Sequence, residues 1–485
     1  MRVRINIIVG QCPISHKMER FLFNNQYLAS SMYIKIYENN KGIRSGKYSL
    51  NGKSVRTPVS FAISDIGGGA GSVDRFVSYI DMIYSQNIPI LMNYYYLTRG
   101  GSISIKWVQG ISKDENILDF LSRINGTWNK SGKISSSYLP HQTKNMAPLV
   151  MLDSGSGNFV RDFAGKGSKK DIIDRFKSTI KEYYEYAASH KFDILVALDY
   201  ALKMTKKGGE SSNQYYNDTI RQLREENENL NILSESLTKY KDGGYPFMLF
   251  APIHGETPSD ISRNLQQILE VEDNVGAKFS GFAITFPSDR TYQGLSRENF
   301  IQCIGYSARK VLRERGDLRP IHALGMGGAG NVLSLVSSGV DSYDSHTPWR
   351  RAMDGTNPSN QSSNNTSYSK FLNPLVNQNL DIIDHTSRAL EYIPIINVPD
   401  KIISDCPVCM EYPIKEIKRL YFNEDKEDFY LSKMLIYLHS LLQSKYIGQA
   451  IVKASQDEDS FQQFFNMLPA KFRVLFSINN NCWNH

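Results

Sequence analysis

The chain has 485 residues, of which 41% are apolar, and a formal net charge of +7 at pH 7. This length suffices for one large domain with additions or for two to three ordinary domains. It contains no run of about 18 apolar residues, so we expect no membrane span. The excess of basic residues is compatible with a polyanionic partner such as nucleic acid. Five cysteines with only one close pair do not form a disulfide framework, which indicates a reducing, cytoplasmic compartment.

The first 56 residues are interpreted as an N-terminal cap, with short strands expected at 32–37 and 47–50. Eight short apolar runs follow, with the composition of strands that are buried on both faces of a parallel sheet. They are 58–64, 88–96, 147–153, 192–199, 246–253, 280–286, 319–325 and 339–344.

Segments with apolar residues at three- and four-residue spacing separate these runs and predict helices. They cover 73–86, 169–190, 213–240, 258–274 and 297–316. Alternation of buried strands with helices is typical of a parallel α/β sheet, and eight units fit a closed (β/α)8 TIM barrel. The alternative is an open, doubly wound sheet of fewer strands.

The barrel domain is predicted at 57–400, followed by a helical C-terminal subdomain at 401–485. Three stretches interrupt the repeat and predict inserts in the barrel. They are 97–142; 208–240, which contains a charged helix expected to present a solvated face; and 354–372, which is rich in Asn and Ser.

The stretch at 322–352 contains the most informative motif. A strand, a glycine turn and a short helix expected at 331–338 lead into a second strand that ends at Asp344, shortly before Arg350 and Arg351. Active sites of parallel α/β barrels form at the carboxyl ends of the strands. An aspartate at such an end beside two arginines stays ionised, so Asp344 is a candidate nucleophile.

The same stretch contains the pattern G-x-G-x-x-G at 325–330, between a strand and a helix. This pattern is typical of dinucleotide-binding folds, so an NAD-dependent oxidoreductase is one alternative. We favour a glycine turn that admits a base or a phosphate, because the pattern lies in the seventh unit and no second βαβ half follows it.

Two more predicted strands end in aspartates. Asp153 opens the tripeptide Asp153-Ser154-Gly155 after the third strand, where small residues let a flat base approach the backbone closely. Asp199 ends the fourth predicted strand, and a carboxylate there can accept from an N–H group and an amino group that lie side by side on a ligand. The alternatives are a plain Asp-Ser-Gly turn and an ordinary strand-terminal aspartate.

A cysteine pair predicts a metal site in the C-terminal segment. Cys406 and Cys409 have the two-residue gap of a thiolate knuckle, and His439 lies on the helix expected at 431–443. The alternative is a pair of buried cysteines without metal.

Together these motifs resemble those of the tRNA-guanine transglycosylases, which are (β/α)8-barrel enzymes that exchange a guanine base in a polynucleotide for a 7-deazaguanine. The resemblance is carried by 325–327, 331–333, 339–344, Pro348 and Arg350, together with Asp153, Ser154 and Asp199. It implies that Asp344 attacks the anomeric carbon and that Asp153 acts as general acid and base. It also implies base contacts from Ser154, Asp199, His254, Gly325 and Met326, and phosphate contacts from Arg350 and Arg351.

The resemblance further implies a structural Zn²⁺ held by Cys406, Cys409 and His439. The family uses the pattern Cys-x-Cys-x-x-Cys followed by a histidine, whereas this chain has Ser404 at the first cysteine position. The fourth ligand therefore stays open between Asp405 and water.

Two base-binding positions depart from the family. His254 stands where the family has a glutamine, and 283–287 stands where it has a Gly-Gly-Leu type of loop. These departures leave the identity of the recognised base open. The N-terminal cap, the inserts and the incomplete zinc set favour a diverged paralogue that inserts a preQ0-type 7-deazaguanine into DNA over an enzyme that acts on tRNA. An inactive nucleic-acid-binding relative is disfavoured because the three aspartates are present. The sequence leaves open whether a second copy or a partner protein takes part.

Overall fold

An antiparallel three-stranded sheet precedes the main domain in the computed structural model. It consists of β1 (Tyr33–Glu38), β2 (Arg44–Leu50) and β3 (Lys53–Thr57). Asn51 and Gly52 connect β2 to β3 with φ angles of 51° and 80°, as a two-residue type I′ hairpin requires. Only two strands were predicted here and β3 was missed, although an Asn-Gly pair is typical of a hairpin turn between two strands.

The structure describes only part of the chain. The described residues are 33–39, 42–64, 88–99, 111–120, 148–156, 159, 169–199, 228–285, 295–353, 370–372, 392–395, 398, 400, 406–468 and 470–477. The predicted helix at 73–86 and most of the predicted inserts lie outside these residues. None of the described helices is long and apolar enough to span a membrane.

Eight parallel strands close into a barrel, and each overlaps one of the eight predicted runs. They are β4 (Val59–Ser64), β5 (Ile90–Asn93), β6 (Val150–Asp153), β7 (Ile194–Val196), β8 (Met248–His254), β9 (Gly281–Thr285), β10 (Ile321–Leu324) and β11 (Ser342–Asp344). Pairing of β11 with β4 closes the ring. The (β/α)8 barrel is therefore confirmed, and the open sheet is wrong.

Helices follow the strands on the outside of the barrel. They are α1 (Tyr94–Arg99), α2 (Lys169–Ser189), α3 (Glu228–Gly243), α4 (Pro258–Val275), α5 (Arg297–Glu314), α6 (Ala329–Ser337) and α7 (Thr347–Met353). Thr257 caps α4 by accepting from the Asp260 N–H, with Pro258 in the first turn, so sequence signals fix where this helix begins. The charged segment expected to present a solvated face becomes α3, which buries Ile232, Leu233 and Leu237 along one side.

Among its described residues, the C-terminal segment has five helices, namely α8 (Pro407–Glu411), α9 (Ile414–Tyr421), α10 (Lys426–Ala454), α11 (Glu458–Met467) and α12 (Ala470–Ser477). The long α10 lies against the barrel, where the Tyr343 hydroxyl donates to the Ser444 carbonyl oxygen at 2.8 Å. A Cβ atom on Gly448 would lie 2.7 Å from the Tyr343 oxygen, so glycine permits this close approach. A short antiparallel pair, β12 (Lys370–Leu372) with β13 (Tyr392–Pro394), precedes these helices.

The N-terminal sheet closes the amino end of the barrel. Tyr48, Leu50 and Val55 join the apolar cluster that fills the barrel interior. At the rim, buried Arg44 donates from Nε to Asp341 Oδ1 at 2.9 Å, and Lys53 Nζ lies 2.7 Å from Asp193 Oδ2. Because Asp341 and Asp193 precede β11 and β7, these contacts all lie at the amino end. The carboxyl end, where the predicted site residues lie, faces the other way.

Candidate active site and metal site

The predicted polar residues lie at the carboxyl ends of the barrel strands. Asp153 is the last residue of β6, His254 ends β8, and Asp344 ends β11, while Asp199 follows β7 within a few residues. Parallel strands direct these ends to a single mouth, so the closed barrel gathers residues that are far apart in the sequence.

Asp344 is held by three hydrogen bonds. His322 Nε2 lies 2.9 Å from Oδ1, the Gly325 N–H donates to Oδ2 at 3.0 Å, and the Gly327 N–H donates to the backbone oxygen at 2.5 Å. The residue is 3% exposed. The first two of these contacts fix the orientation of the side-chain carboxyl group, and the third fixes the backbone beside it.

The glycine turn at 325–330 wraps around Asp344. Gly325 has a φ of 74°, and a Cβ on Gly327 would lie 2.7 Å from the Tyr343 ring and 3.1 Å from the Asp344 backbone. Glycine is required there because any side chain would displace the strand that carries Asp344. The N–H groups of Gly325 and Gly327 point to Asp344, so they are not free to cradle a pyrophosphate. This geometry and the closed barrel argue against the NAD-dependent alternative.

A second network surrounds Asp199, which is 5% exposed. The Ser156 hydroxyl donates to Oδ1 and the His254 Nε2–H donates to Oδ2. Ser154 Oγ lies 2.5 Å from Ser156 Oγ and, since Ser156 already donates to Asp199, Ser154 is the donor. His254 Nδ1 lies 2.7 Å from Thr285 Oγ1. Both carboxylate oxygens of Asp199 are thus engaged from neighbouring strands.

Asp153 is the most accessible of the three aspartates and is partly exposed. Asn93, at the end of β5, donates from Nδ2 to Asp153 Oδ2 at 3.0 Å. Gly155 has a φ of 69°, and a Cβ on it would collide with the Asn93 side chain. The Asp-Ser-Gly turn therefore packs directly against its neighbour, and the Asp153 carboxylate stays within reach of a ligand in the mouth.

The structure locates two of the four remaining predicted residues at the barrel mouth. Gly325 is exposed and Met326 partly buried at the mouth, with the Met326 carbonyl oxygen accepting from the Asn331 side chain at 3.0 Å. Arg350 and Arg351 belong to α7, but their side chains lie outside the described part of the chain.

Cys406, Cys409 and His439 come together at the start of α8 and on α10. Their candidate ligand atoms all lie within 4.8 Å of one another, and the three residues are buried. Cys409 Sγ lies 3.0 Å from His439 Nδ1. Burial opposes ionisation of the Cys406 thiol, but the neighbouring Cys409 and His439 outweigh it, so its pKa lies well below the usual range. Two thiol sulfurs and an imidazole nitrogen are the donors that Zn²⁺ prefers.

The sequence model of the protein family described as queuine tRNA-ribosyltransferase matches residues 141–472, which is more than half of the chain. The chain belongs to this family. Membership makes it a transglycosylase, a pentosyltransferase that acts on nucleic acid. No curated protein matches the chain.

The family match covers Asp153, Asp199, His254 and Asp344 with the strands that carry or precede them, together with the cysteine and histidine cluster. The N-terminal sheet and the first two barrel strands of the transglycosylase precede it. The resemblance drawn from motifs is therefore confirmed at the level of the family.

Sequence reasoning missed four residues that contact the candidate site residues. They are Asn93, Ser156, Thr285 and His322. Asn93 and Thr285 end strands, which is a signal that could have found them. His322 lies in the middle of an apolar run, so its sequence pattern is that of a core residue. Ser156 follows a turn. Only the pairing of strands reveals these two contacts.

Proposed function

We propose that this transglycosylase replaces guanine in a polynucleotide by a preQ0-type 7-deazaguanine through a covalent glycosyl–aspartate intermediate. The observation that carries the proposal is the side chain of Asp344 at the carboxyl end of β11, which is buried and oriented by His322 and the Gly325 N–H. A fixed carboxylate in a barrel mouth suits nucleophilic attack on an anomeric carbon.

In the first half of the reaction, an Asp344 oxygen forms a bond to the anomeric carbon while the bond from that carbon to guanine breaks. Asp153, the more exposed carboxyl group, gives a proton to the departing base. In the second half, Asp153 takes a proton from the incoming 7-deazaguanine, which attacks the same carbon and releases Asp344. The sugar then keeps its original configuration, because two displacements have occurred.

The base is proposed to bind between the Asp199 network and the glycine turn. Ser154, Asp199 and His254 would contact its hydrogen-bonding edge. Gly325 and Met326 would contact the flat face of the ring or its border. The target nucleotide must be unpaired or flipped out, since the anomeric carbon is inaccessible in a stacked duplex. Arg350 and Arg351 are proposed to hold its phosphates.

Cys406, Cys409 and His439 are proposed to hold a structural Zn²⁺. The buried sulfur and nitrogen donors support this assignment, and Ser404 and Asp405 lie outside the described residues. The ion would join α8 to α10 and so fasten the C-terminal helices.

DNA is the substrate we favour. The support is in the N-terminal cap, the inserts and Ser404, which differ from the pattern that the resemblance to the tRNA enzymes led us to expect. Transfer RNA is the second candidate, because the matching family is described as a tRNA-ribosyltransferase.

The test is to incubate the purified protein with duplex DNA or tRNA, each carrying labelled guanine, together with a 7-deazaguanine base. Release of label from DNA alone supports the favoured substrate, and release from tRNA alone replaces DNA by tRNA. Release from neither substrate contradicts the proposed function. Asp344→Asn is the control for release that does not depend on the site.

A further inference from the structure

His322 lies directly behind the candidate nucleophile and has no assigned role. It is fully buried in the middle of β10, with Nε2 at 2.9 Å from Asp344 Oδ1 and Nδ1 at 2.8 Å from Ser342 Oγ. Its ring contacts Phe61 edge to face, with centroids 5.2 Å apart. The ring is therefore held at both nitrogens and by the packing of Phe61.

The contact with Ser342 follows from strand pairing. His322 and Ser342 are register partners on β10 and β11, and Ser342 and Asp344 point to the same side of β11 because side chains alternate along a strand. One histidine on β10 thus reaches two residues of β11.

Tyr48 completes the chain of contacts from the N-terminal sheet. Its hydroxyl donates to Ser342 Oγ at 3.3 Å. Burial, followed by the charge of Asp341, raises the pKa of Tyr48 well above its ordinary value, so the phenol keeps its proton and remains a donor. Within the described part of the chain, Tyr48 and His322 are the partners of the Ser342 hydroxyl.

These contacts fix where the protons are. Ser342 accepts from Tyr48, so its own proton is directed to His322 Nδ1, which must then be an acceptor. A neutral ring with an acceptor at Nδ1 carries its proton on Nε2, facing Asp344. If Nδ1 carried the proton instead, the buried Ser342 hydroxyl would have no acceptor among the described residues.

We propose that His322 is the positioning residue of the nucleophile, a neutral imidazole whose Nε2–H holds Asp344 Oδ1 in the orientation for attack. The inference rests on the proposed function, in which Asp344 bonds to the anomeric carbon. His322 and the Gly325 N–H hold one carboxylate oxygen each, so the carboxylate cannot rotate about its Cβ–Cγ bond. When the incoming base displaces Asp344, the same two donors receive the negative charge that returns to it.

The chemical test compares His322→Phe, which removes the donor, with His322→Gln, which keeps an N–H donor. A nucleophile freed to rotate is expected to form the covalent intermediate about 100-fold more slowly. We expect this loss in His322→Phe in single-turnover experiments, an unchanged Kd for the polynucleotide, and recovery of most of the rate in His322→Gln. Another buried histidine, His190, bonds to the Glu115 carbonyl oxygen far from the mouth, and His190→Gln is the matched control.

The proton assignment is tested independently of activity. Nitrogen NMR of the full chain labelled at histidine should show the Nε2–H form for the ring that disappears in His322→Gln. Ser342→Ala, which removes the donor to Nδ1, should shift that ring toward the other neutral form.

The outcomes separate the two proposals. A wild-type rate in His322→Phe, equal losses in His322→Phe and His322→Gln with both variants folded, or an Nδ1–H ring in the wild type overturns the role of His322. If the wild-type chain exchanges no base at all, the proposed function fails, and the positioning role fails with it.

Discussion

Nδ1 of His254 lies 2.7 Å from Oγ1 of Thr285, and the two residues are register partners at the ends of β8 and β9. Each stands at a position where the family resemblance led us to expect something else, a glutamine and a Gly-Gly-Leu loop respectively. The other ring nitrogen of His254 bonds to Asp199. The two departures therefore form one connected unit at the proposed base-binding edge.

The first prediction concerns this unit. His254→Gln and Thr285→Ala should each raise the KM for the incoming base, and the double variant should lose less than the sum, with a coupling of about 0.5–3 kcal/mol. The reason is that Thr285 acts through the ring that His254→Gln removes. The measurement is kcat/KM for labelled base in a double-mutant cycle.

The control for that cycle pairs His254→Gln with Thr179→Ala. Thr179 bonds to the Arg175 carbonyl oxygen within α2 and has no part in the mouth. These two changes should add. Additive losses for His254 and Thr285 as well would show that the two positions act separately.

The second prediction is that Asp344→Asn abolishes base exchange, by roughly 10⁴-fold or more. An asparagine has one acceptor oxygen, so it cannot accept from both His322 and the Gly325 N–H, and the mismatch should cost about 1–3 kcal/mol of stability. The chain should stay folded by circular dichroism with a slightly lower Tm. Label release measures the exchange. An active variant would show that Asp344 is not the nucleophile.

The third prediction concerns Asp341, which directly precedes β11 and lies at the amino end of the barrel. It accepts from Arg44 Nε, Arg309 Nη2 and the Ile321 N–H, each at 2.9 Å, and is fully buried with both arginines. Asp341→Ala removes the carboxylate that these two buried arginines share and leaves Arg44 paired with Glu38, so the free energy of unfolding should fall by about 3–5 kcal/mol. Urea unfolding measures this loss.

Exchange per folded molecule of Asp341→Ala should remain close to that of the wild type, because Asp341 lies at the amino end of the barrel. Asp341→Ala is thus expected to lose stability but not exchange activity, whereas Asp344→Asn is expected to lose exchange activity with a smaller loss of stability. A loss of stability below about 1 kcal/mol would contradict the importance of this buried cluster.

The fourth prediction is that the purified protein carries one Zn²⁺ per chain. Cys409→Ser and His439→Ala should each release it, and hydrogen exchange in α8 and α10 should then accelerate, because the ion joins these helices. Metal analysis by mass spectrometry gives the stoichiometry. His190→Gln should keep the ion, whereas full zinc content in both ligand variants would rule out this site.

The eight barrel strands were predictable because each is buried on both faces and so appears as a short apolar run, such as 58–64 and 246–253. The carboxyl-end residues Asp153, Asp199, His254 and Asp344 were predictable for the same reason, since a polar residue closes such a run. The Asn51-Gly52 hairpin was also present in the sequence and was overlooked.

His322 and Ser156 could not be found in this way. A histidine inside an apolar run has the pattern of a core residue, and its contact with Asp344 depends on the register between β10 and β11. Ser156 reaches Asp199 only because β6 and β7 lie side by side. Contacts set by the packing of distant segments leave no local pattern.

The last barrel strand is three residues long, and its side chains alternate in direction. Ser342 faces inward to Tyr48, Tyr343 faces outward to the Ser444 carbonyl, and Asp344 faces inward at the mouth. Inserting or deleting one residue within this strand would turn the carboxylate toward α10 and the phenol into the mouth. Relatives that keep the chemistry must therefore keep the length of this segment unchanged, while the loops on either side are free to vary in length.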